Sequence, residues 1–391
     1  MTEPVPRTAI SRVTSREEPL SDMVALLTEL DPGPLVALLG LPSTDIFMIR
    51  EFNLSRPKSG RIDMAIFNRS TKVPLAILEA KVSDSLRDGQ VEQYERWVKS
   101  REIINPEISI KRFLVDLNGT LDSPHENWNV LNQAELLGAW RASTNPHCAW
   151  LSQLLYDELK LVDTQAEEFI GTATAWSVHD VLTRRVASDL IRHLQQTAPN
   201  DWQVAPTRDA GGMPMLYIRL RHPQRHNIWL LLDLRSPGRS SVAQPWSLRI
   251  MVKTIEANFE NRRDAQHQCF LAALDSLELL SSVSIEKFLS TSANTRFRPV
   301  FSLDSGGFRN NDHTASDVRG VLLDEAAESK SLSTSIPPSA NRLLYQDQQL
   351  SFGTKYSLDL NQINRHDLKE LLLGIILHLY REIDQPSSDQ Q

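Results

Sequence analysis

The sequence predicts an α/β protein whose N-terminal domain carries a mixed central sheet in the order helix, three strands, helix, strand, followed by helices and a C-terminal α+β domain. Three observations carry that expectation. Residues 46–54, 61–68 and 73–82 are runs of β-type residues divided by the polar turns at 55–60 and after Asn68, which reads as a three-stranded meander. Residues 85–100 then place Val91, Tyr94 and Val98 at helical spacing, and 110–117 returns to a strand pattern. From Trp202 to Lys253 the chain turns to strands punctuated by Gly211-Gly212 and Pro237-Gly238, which opens a second domain.

Residues 1–19 are polar and read as a flexible or loosely docked lead-in. Ser21 can cap a helix through Met23, Leu26, Leu27 and Leu30, and Asp31-Pro-Gly-Pro stops it. The first domain is then expected over 20–130. Residues 131–200 read as a helical connection, with Leu136, Leu137, Trp140, Leu151, Leu154 and Leu155 at i, i+3 and i+4 spacing. The C-terminal domain, 201–391, is expected to hold strands at 215–220, 228–234 and 248–252 and helix over 256–290. It continues through a loop-rich stretch at 302–340 to an amphipathic helix at 367–383.

A chain of 391 residues exceeds one ordinary core, so more than one domain is expected. With 41% hydrophobic and 23% charged residues it has ample apolar surface to bury, which excludes wholesale disorder, a collagen-like chain and a coiled coil. The longest apolar stretches, near 371–379 and 228–232, fall short of the roughly 20 residues needed to cross a bilayer. Residues 1–16 lack an apolar core of the secretory type, so the expected location is the cytoplasm. Cys148 and Cys269 have neither zinc spacing nor a disulfide framework around them and read as buried thiols.

The informative constellation is Arg61-Ile-Asp63, Leu78-Glu79-Ala-Lys81 and Gln90-Val-Glu-Gln93-Tyr94. Glu79 and Lys81 lie two apart on a strand, so period-two alternation sends both side chains to one face, within reach of Asp63 on the preceding strand. Residues 73–78 are apolar on both faces and then end in a carboxylate and an ammonium. Buried charges are costly unless paired or bound to metal. A magnesium or manganese ion on Asp63, Glu79 and the Ala80 carbonyl would relieve carboxylate repulsion and activate water, while Lys81 orients that water or a phosphate. This is the chemistry of metal-assisted phosphodiester hydrolysis. The alternative is a solvated strand end with a Glu79–Lys81 salt bridge. Other acid-any-lysine triplets, at Glu158, Glu328 and Asp367, fall in helical or loop-like stretches. Leu230-Leu-Leu-Asp233-Leu-Arg235 echoes the Glu79 segment and reads as coincidence.

On these motifs residues 46–117 resemble the PD-(D/E)XK nuclease superfamily, and the Arg-Ile-Asp, Glu-Ala-Lys and Gln-any-any-Gln-Tyr series is similar to one of its bacterial branches. The resemblance covers roughly the first third of the chain. It implies a restriction-endonuclease-like αβββαβ core with a mixed sheet, Asp63 and Glu79 as metal ligands and Lys81 as the catalytic lysine. Gln90, Gln93 and Tyr94 match the family's helix motif, which supports the site or the DNA backbone; Val91, Tyr94 and Val98 equally describe a core stripe. Ile62 stands where the family has proline. The branch carries an extra glutamate ligand, for which Glu51 on the first strand, Glu17 and Glu18 ahead of the first helix, and Glu29 at its end are the candidates. The surface reading is favoured for Glu17, Glu29 and Glu18. The implied activity is a Mg-dependent endo- or exodeoxyribonuclease of defence, restriction or repair. The alternative is a catalytically inactive nuclease-fold protein that binds nucleic acid or a partner protein.

Charge is uneven along the chain. The net charge is −7, yet residues 50–112 hold 13 Lys or Arg against 9 Asp or Glu. Arg50, Arg56, Lys58 and Arg61 lie near the Asp63 strand, where they could track phosphates, DNA more than RNA. Residues 208–253 hold 8 Lys or Arg against 2 acids, interleaved with Tyr217, Trp229 and Trp246. Two readings stand there: a platform for single-stranded nucleic acid, or core aromatics beside a solvated basic face. The C-terminal domain is also the expected surface for a homo-oligomer or a partner protein.

Overall fold

A computed structural model describes Ile10 and residues 13–14, 16–54, 60–81, 89–117, 127–168, 176–197, 202–208, 212–221, 227–237, 245–254, 262–302, 315–328, 345–347 and 351–384. The chain divides into two compact units, Met1–Thr164 and Gln165–Gln391. The division falls inside a helix, so the expected helical connection at 131–200 is shared between the units instead of standing apart.

The first unit runs α1 (Glu17–Leu30), α2 (Gly33–Leu39), β1 (Ile46–Asn53), β2 (Arg61–Asn68), β3 (Pro74–Lys81), α3 (Gln90–Ile104), β4 (Lys111–Asp116), β5 (Trp128–Asn132), α4 (Gln133–Gly138) and most of α5 (Pro146–Glu168). Its five strands lie in the order β1-β2-β3-β4-β5. β1, β2 and β3 pair antiparallel, and β3, β4 and β5 pair parallel, so the sheet is mixed. The strand β5 is an addition to the sequence reading.

Alternation along β3 explains its two apolar faces. Leu75, Ala76, Leu78 and Ala80 pack in a core with Leu20, Val24 and Leu27 of α1, Leu35 and Leu39 of α2, and Leu136, Leu155 and Leu159 of α4 and α5. Ile77 packs in the other core, against Val91, Tyr94, Trp97 and Val98 of α3. Glu79 and Lys81 continue the Ile77 face, so the charged end of the strand emerges on the α3 side. Pairing on both edges fixes the β3 register, because a one-residue slip would exchange the two faces.

Two expectations near the N-terminus differ from the structure. Arg16 precedes the helix that Ser21 was expected to cap, and the buried Ser21 hydroxyl instead donates to the Glu17 carbonyl at 2.9 Å within the first turns. The later part of the lead-in is docked, not loose. Ile10 and Val13 pack against the α1-side core, and Gln133 Nε2 donates to the Thr14 carbonyl at 2.9 Å.

The second unit holds α6 (Trp176–Thr197), β6 (Trp202–Arg208), β7 (Pro214–Arg221), β8 (Ile228–Arg235), β9 (Trp246–Thr254), α7 (Arg262–Asp275), α8 (Leu277–Leu280), α9 (Ser282–Leu289) and β10 (Phe301–Ser302). It ends with α10 (Ala315–Glu328), β11 (Tyr345–Asp347), β12 (Ser351–Leu358) and α11 (Arg365–Asp384). The sheet is antiparallel in the order β10-β12-β9-β8-β7-β6, with β11 on β12. A helix, α10, occupies part of the stretch expected to be loop.

Helices cover the apolar face of this sheet. Phe270 of α7 meets Phe352 edge-on at 6.0 Å, Cys269 Sγ lies 3.3 Å from the Val252 carbonyl, and the His179 ring of α6 meets Trp246 edge-on at 4.8 Å. Both cysteines are buried thiols, and burial pushes Cys269 up to about 12. β8 repeats the β3 pattern of burial, ending in Asp233 and Arg235. Gly353 is required by close strand approach: a Cβ there would lie 2.0 Å from the Ile250 carbonyl oxygen. Among the described residues no helix is long and apolar enough to cross a membrane.

Candidate active site

Three side chains singled out in the sequence meet at the end of β3. The β2–β3 register pairs Met64 with Leu78, which sets Asp63 opposite Glu79. Asp63 Oδ2 accepts from the Ala80 N–H at 2.8 Å, and the Asp63 N–H points at Glu79 Oε2 at 3.4 Å. Lys81 Nζ donates to Glu79 Oε1 at 2.7 Å. The Lys81 carbonyl accepts from the Leu117 N–H at 3.1 Å on the β4 side. Neighbouring carbonyls of a strand alternate in direction, so the Ala80 carbonyl faces β2, as its N–H does.

Helix α3 closes the site from one face, and its i, i+4 spacing puts Gln90 and Tyr94 on the same side. Gln90 Nε2 donates to Glu79 Oε1 at 2.8 Å and to the Tyr94 hydroxyl at 2.6 Å. The Tyr94 hydroxyl lies 3.0 Å from Glu79 Oε2 and 2.9 Å from the Arg61 carbonyl, and its single proton serves one of them at a time. Tyr94 is fully buried, so the core-stripe and site-support readings are both true of it. Gln93 turns elsewhere: its Oε1 accepts from the Gly60 N–H at 3.1 Å, fixing the start of β2.

Glu79 is only 2% exposed, and the four donors around it are what make its burial tolerable. Asp63 is less well supplied. Burial and the charge of Glu79 raise its carboxyl from 3.8 to about 7, against the lowering pull of the Ala80 N–H and Lys81. Burial pulls the Lys81 ammonium down, but the carboxylates of Glu79, Glu17 and Asp63 outweigh it and hold it above its ordinary value. The Tyr94 hydroxyl is pushed up by burial and by Glu79.

The auxiliary carboxylates separate. Glu17, half-buried at the start of α1, is near enough to raise both Asp63 and Lys81. Sequence reasoning had favoured a solvated surface for it. Glu18 and Glu29 are exposed. Glu51 stands on β1 with φ 50°, a left-handed conformation rare for a residue with a side chain, and its carboxylate is held by Arg61 at 3.0 and 3.1 Å. Arg50 pairs with Asp22. Arg56 and Lys58 lie outside the described residues.

Asp63, Glu79 and the Ala80 carbonyl are the oxygens that could hold a divalent cation. The donor chemistry fits: hard oxygens, and an acid raised first by burial and then by the charge of Glu79, both of which a cation would offset. Among the described residues no group of three His, Cys, Asp or Glu converges closely enough to hold a metal. The candidate set is therefore two carboxylates completed by backbone and water. No protein-family model, curated protein or solved structure matches this chain.

Proposed function

We propose that this chain is a metal-dependent nuclease that hydrolyses phosphodiester bonds, in DNA before RNA. The observation that carries the reading is the acid-facing-acid pair of Asp63 and Glu79, closed by Lys81, at the end of a strand buried on both faces. A purely structural salt bridge would need Glu79 and Lys81 alone, and a second carboxylate, raised to about 7 by burial and by the charge of Glu79, is a cost that such a bridge does not require.

Asp63 and Glu79 would hold magnesium or manganese with the Ala80 carbonyl. Bound there, the ion would acidify a coordinated water and offset charge on the phosphate. Lys81, a compact cation with three donors, binds a phosphate oxygen or orients the attacking water from the Glu79 side. Gln90 and Tyr94 hold the Glu79 carboxylate in one orientation, so that its position does not depend on the substrate. Glu17 adds negative charge beside Asp63 and Lys81, which favours a cation in the cleft.

The test is cleavage of plasmid, linear and single-stranded DNA, and of RNA, with Mg²⁺ or Mn²⁺. Wild-type protein is expected to cut, and Asp63→Ala and Lys81→Ala to lose the activity. No cleavage of any substrate, or variants as active as wild type, overturns the reading. A second reading, a nuclease-fold binding protein without catalysis, draws on the engagement of both Glu79 oxygens by protein donors. It predicts binding that is indifferent to divalent metal and to Glu79.

A further inference from the structure

In the basic segment at 208–253, Trp229 and Trp246 are buried, as are Leu231, Asp233 and Met251, so its tryptophans belong to the core. A different part of the second unit gathers cations around an opening. Among the described residues, a cavity of about 340 Å³ is lined by Asp189, Arg192 and His193 of α6 and by Arg365, His366 and Lys369 of α11. Five of its six lining side chains are basic, in a chain whose net charge is −7.

Helical spacing explains the gathering. Asp189, Arg192 and His193 stand at i, i+3 and i+4 on α6, and Arg365 and Lys369 at i and i+4 on α11, so each helix brings its set to one side. Leu190, Leu194, Leu368 and Leu371 of the same two helices are buried, which leaves the charged sides to line the cavity.

The one acid of this lining is outnumbered. Asp189 lies 3.8 Å from Arg192 Nη1 and 3.5 Å from Arg365 Nη1, both longer than a direct charge-assisted hydrogen bond. Arg365 is aimed from outside the lining: its Nε meets Glu167 Oε2 at 2.8 Å, and Glu167 Oε1 meets Arg185 Nη1 at 2.8 Å. Lys369 Nζ meets Glu370 Oε1 at 2.8 Å, and an ammonium with three donors can serve a second acceptor as well. Lys369 holds the Glu370 carboxyl below its ordinary value against the opposing effect of burial, and the charges of His366 and His193 add to the pull. The potential felt by an anion here is therefore favourable on balance.

We infer that this cavity binds the phosphate group of a small ligand, a nucleoside monophosphate or free phosphate, through Arg192, Arg365, Lys369 and the imidazoles of His193 and His366. Two guanidinium forks and an ammonium, brought from two helices, suit a tetrahedral group that carries more than one negative charge near neutral pH. A carboxylate would occupy one fork and leave the rest unused. The volume lies within the range of small-molecule sites. The inference stands apart from the nuclease reading, since it involves neither Asp63 nor Glu79 and is tested without divalent metal.

Isothermal titration calorimetry of the full chain, at low salt in EDTA, compares adenosine 5′-monophosphate, inorganic phosphate, adenosine and acetate. Heat is expected from the phosphate-bearing probes and none from adenosine or acetate. Inorganic phosphate binding as tightly as the nucleotide assigns the cavity to free phosphate, and preference for the nucleotide assigns it to a nucleoside monophosphate. Arg192→Gln combined with His366→Gln, both at exposed positions, is expected to weaken binding roughly ten-fold or more, as loss of charge-assisted contacts implies, with the circular dichroism spectrum unchanged. Lys287→Gln, on α9 of the same unit, is expected to bind as wild type. Absence of heat from both phosphate probes at millimolar concentration, a double variant that binds as tightly as wild type, or acetate binding as tightly as phosphate overturns the inference. Loss of phosphate binding with cleavage intact leaves the nuclease reading standing, and phosphate binding without any cleavage leaves this one standing.

Discussion

Asp63 and Glu79 face each other across the β2–β3 ladder, with the Asp63 N–H aimed at Glu79 Oε2 and the Ala80 N–H on Asp63 Oδ2. Two acids are thereby held in one frame by backbone geometry, with Lys81 as the nearest cation. Strand pairing sets that relationship, so its energetics can be probed by single substitutions.

Stability should depend on pH through Asp63. Its carboxyl is raised from 3.8 to about 7 in the fold, so its favourable contribution is complete below about 4 and is lost as pH rises through 7. In EDTA the melting temperature is expected to fall between pH 5 and 8, and less so in Asp63→Asn. Mg²⁺ should restore more stability at pH 8 than at pH 5, measured by scanning fluorimetry.

Lys81→Met removes the cation from a carboxylate that is 2% exposed. Stability is expected to fall by about 3 kcal/mol in urea unfolding, as when one partner of a buried pair is deleted. Glu79→Gln in the same chain should recover much of that loss while leaving cleavage absent.

Tyr94→Phe deletes a hydroxyl shared by Glu79, Gln90 and the Arg61 carbonyl. A loss of roughly 1–2 kcal/mol is expected, together with a higher metal concentration for half-maximal cleavage. A Phe variant equal to wild type in both measurements would reduce Tyr94 to core packing.

Glu17→Gln is expected to raise the metal concentration needed for half-maximal cleavage by roughly ten-fold, in the range seen for groups that act around a metal set. Glu29→Gln, at an exposed position of the same helix, should leave it unchanged.

Gly353→Ala is expected to destabilise the second unit by roughly 1–3 kcal/mol, because the added Cβ would meet the Ile250 backbone and not a yielding side chain. Thermal denaturation followed by circular dichroism reads this directly.

Strands with clear ends were legible in the sequence. β2 spans 61–68 as expected, since Gly60 and the turn after Asn68 bracket a run of Ile, Met and Phe. β5 was lost because five residues, Trp128–Asn132, are too few to show a period. β12 was lost for another reason: Ser, Gly, Thr and Lys dilute its alternation, although Phe352, Tyr356 and Leu358 all point to the core. In the site, Asp63, Glu79, Lys81, Gln90 and Tyr94 could be found because strand and helix periods are local. Glu17 is one of four candidate glutamates in the sequence and could not be singled out there, since its proximity depends on how α1 docks against the sheet. Glu51 is another of those candidates, and only the side-chain geometry reveals that Arg61 engages it.

β3 and β8 end in the same short word, an acid and a base two positions apart on an otherwise oily rail. The rung opposite assigns their trades. Arg249 stands across from Asp233, so that acid is quenched from two sides and serves as a rivet between strands. Asp63 stands across from Glu79, so one lysine is outnumbered and the pair retains an appetite for a further positive guest.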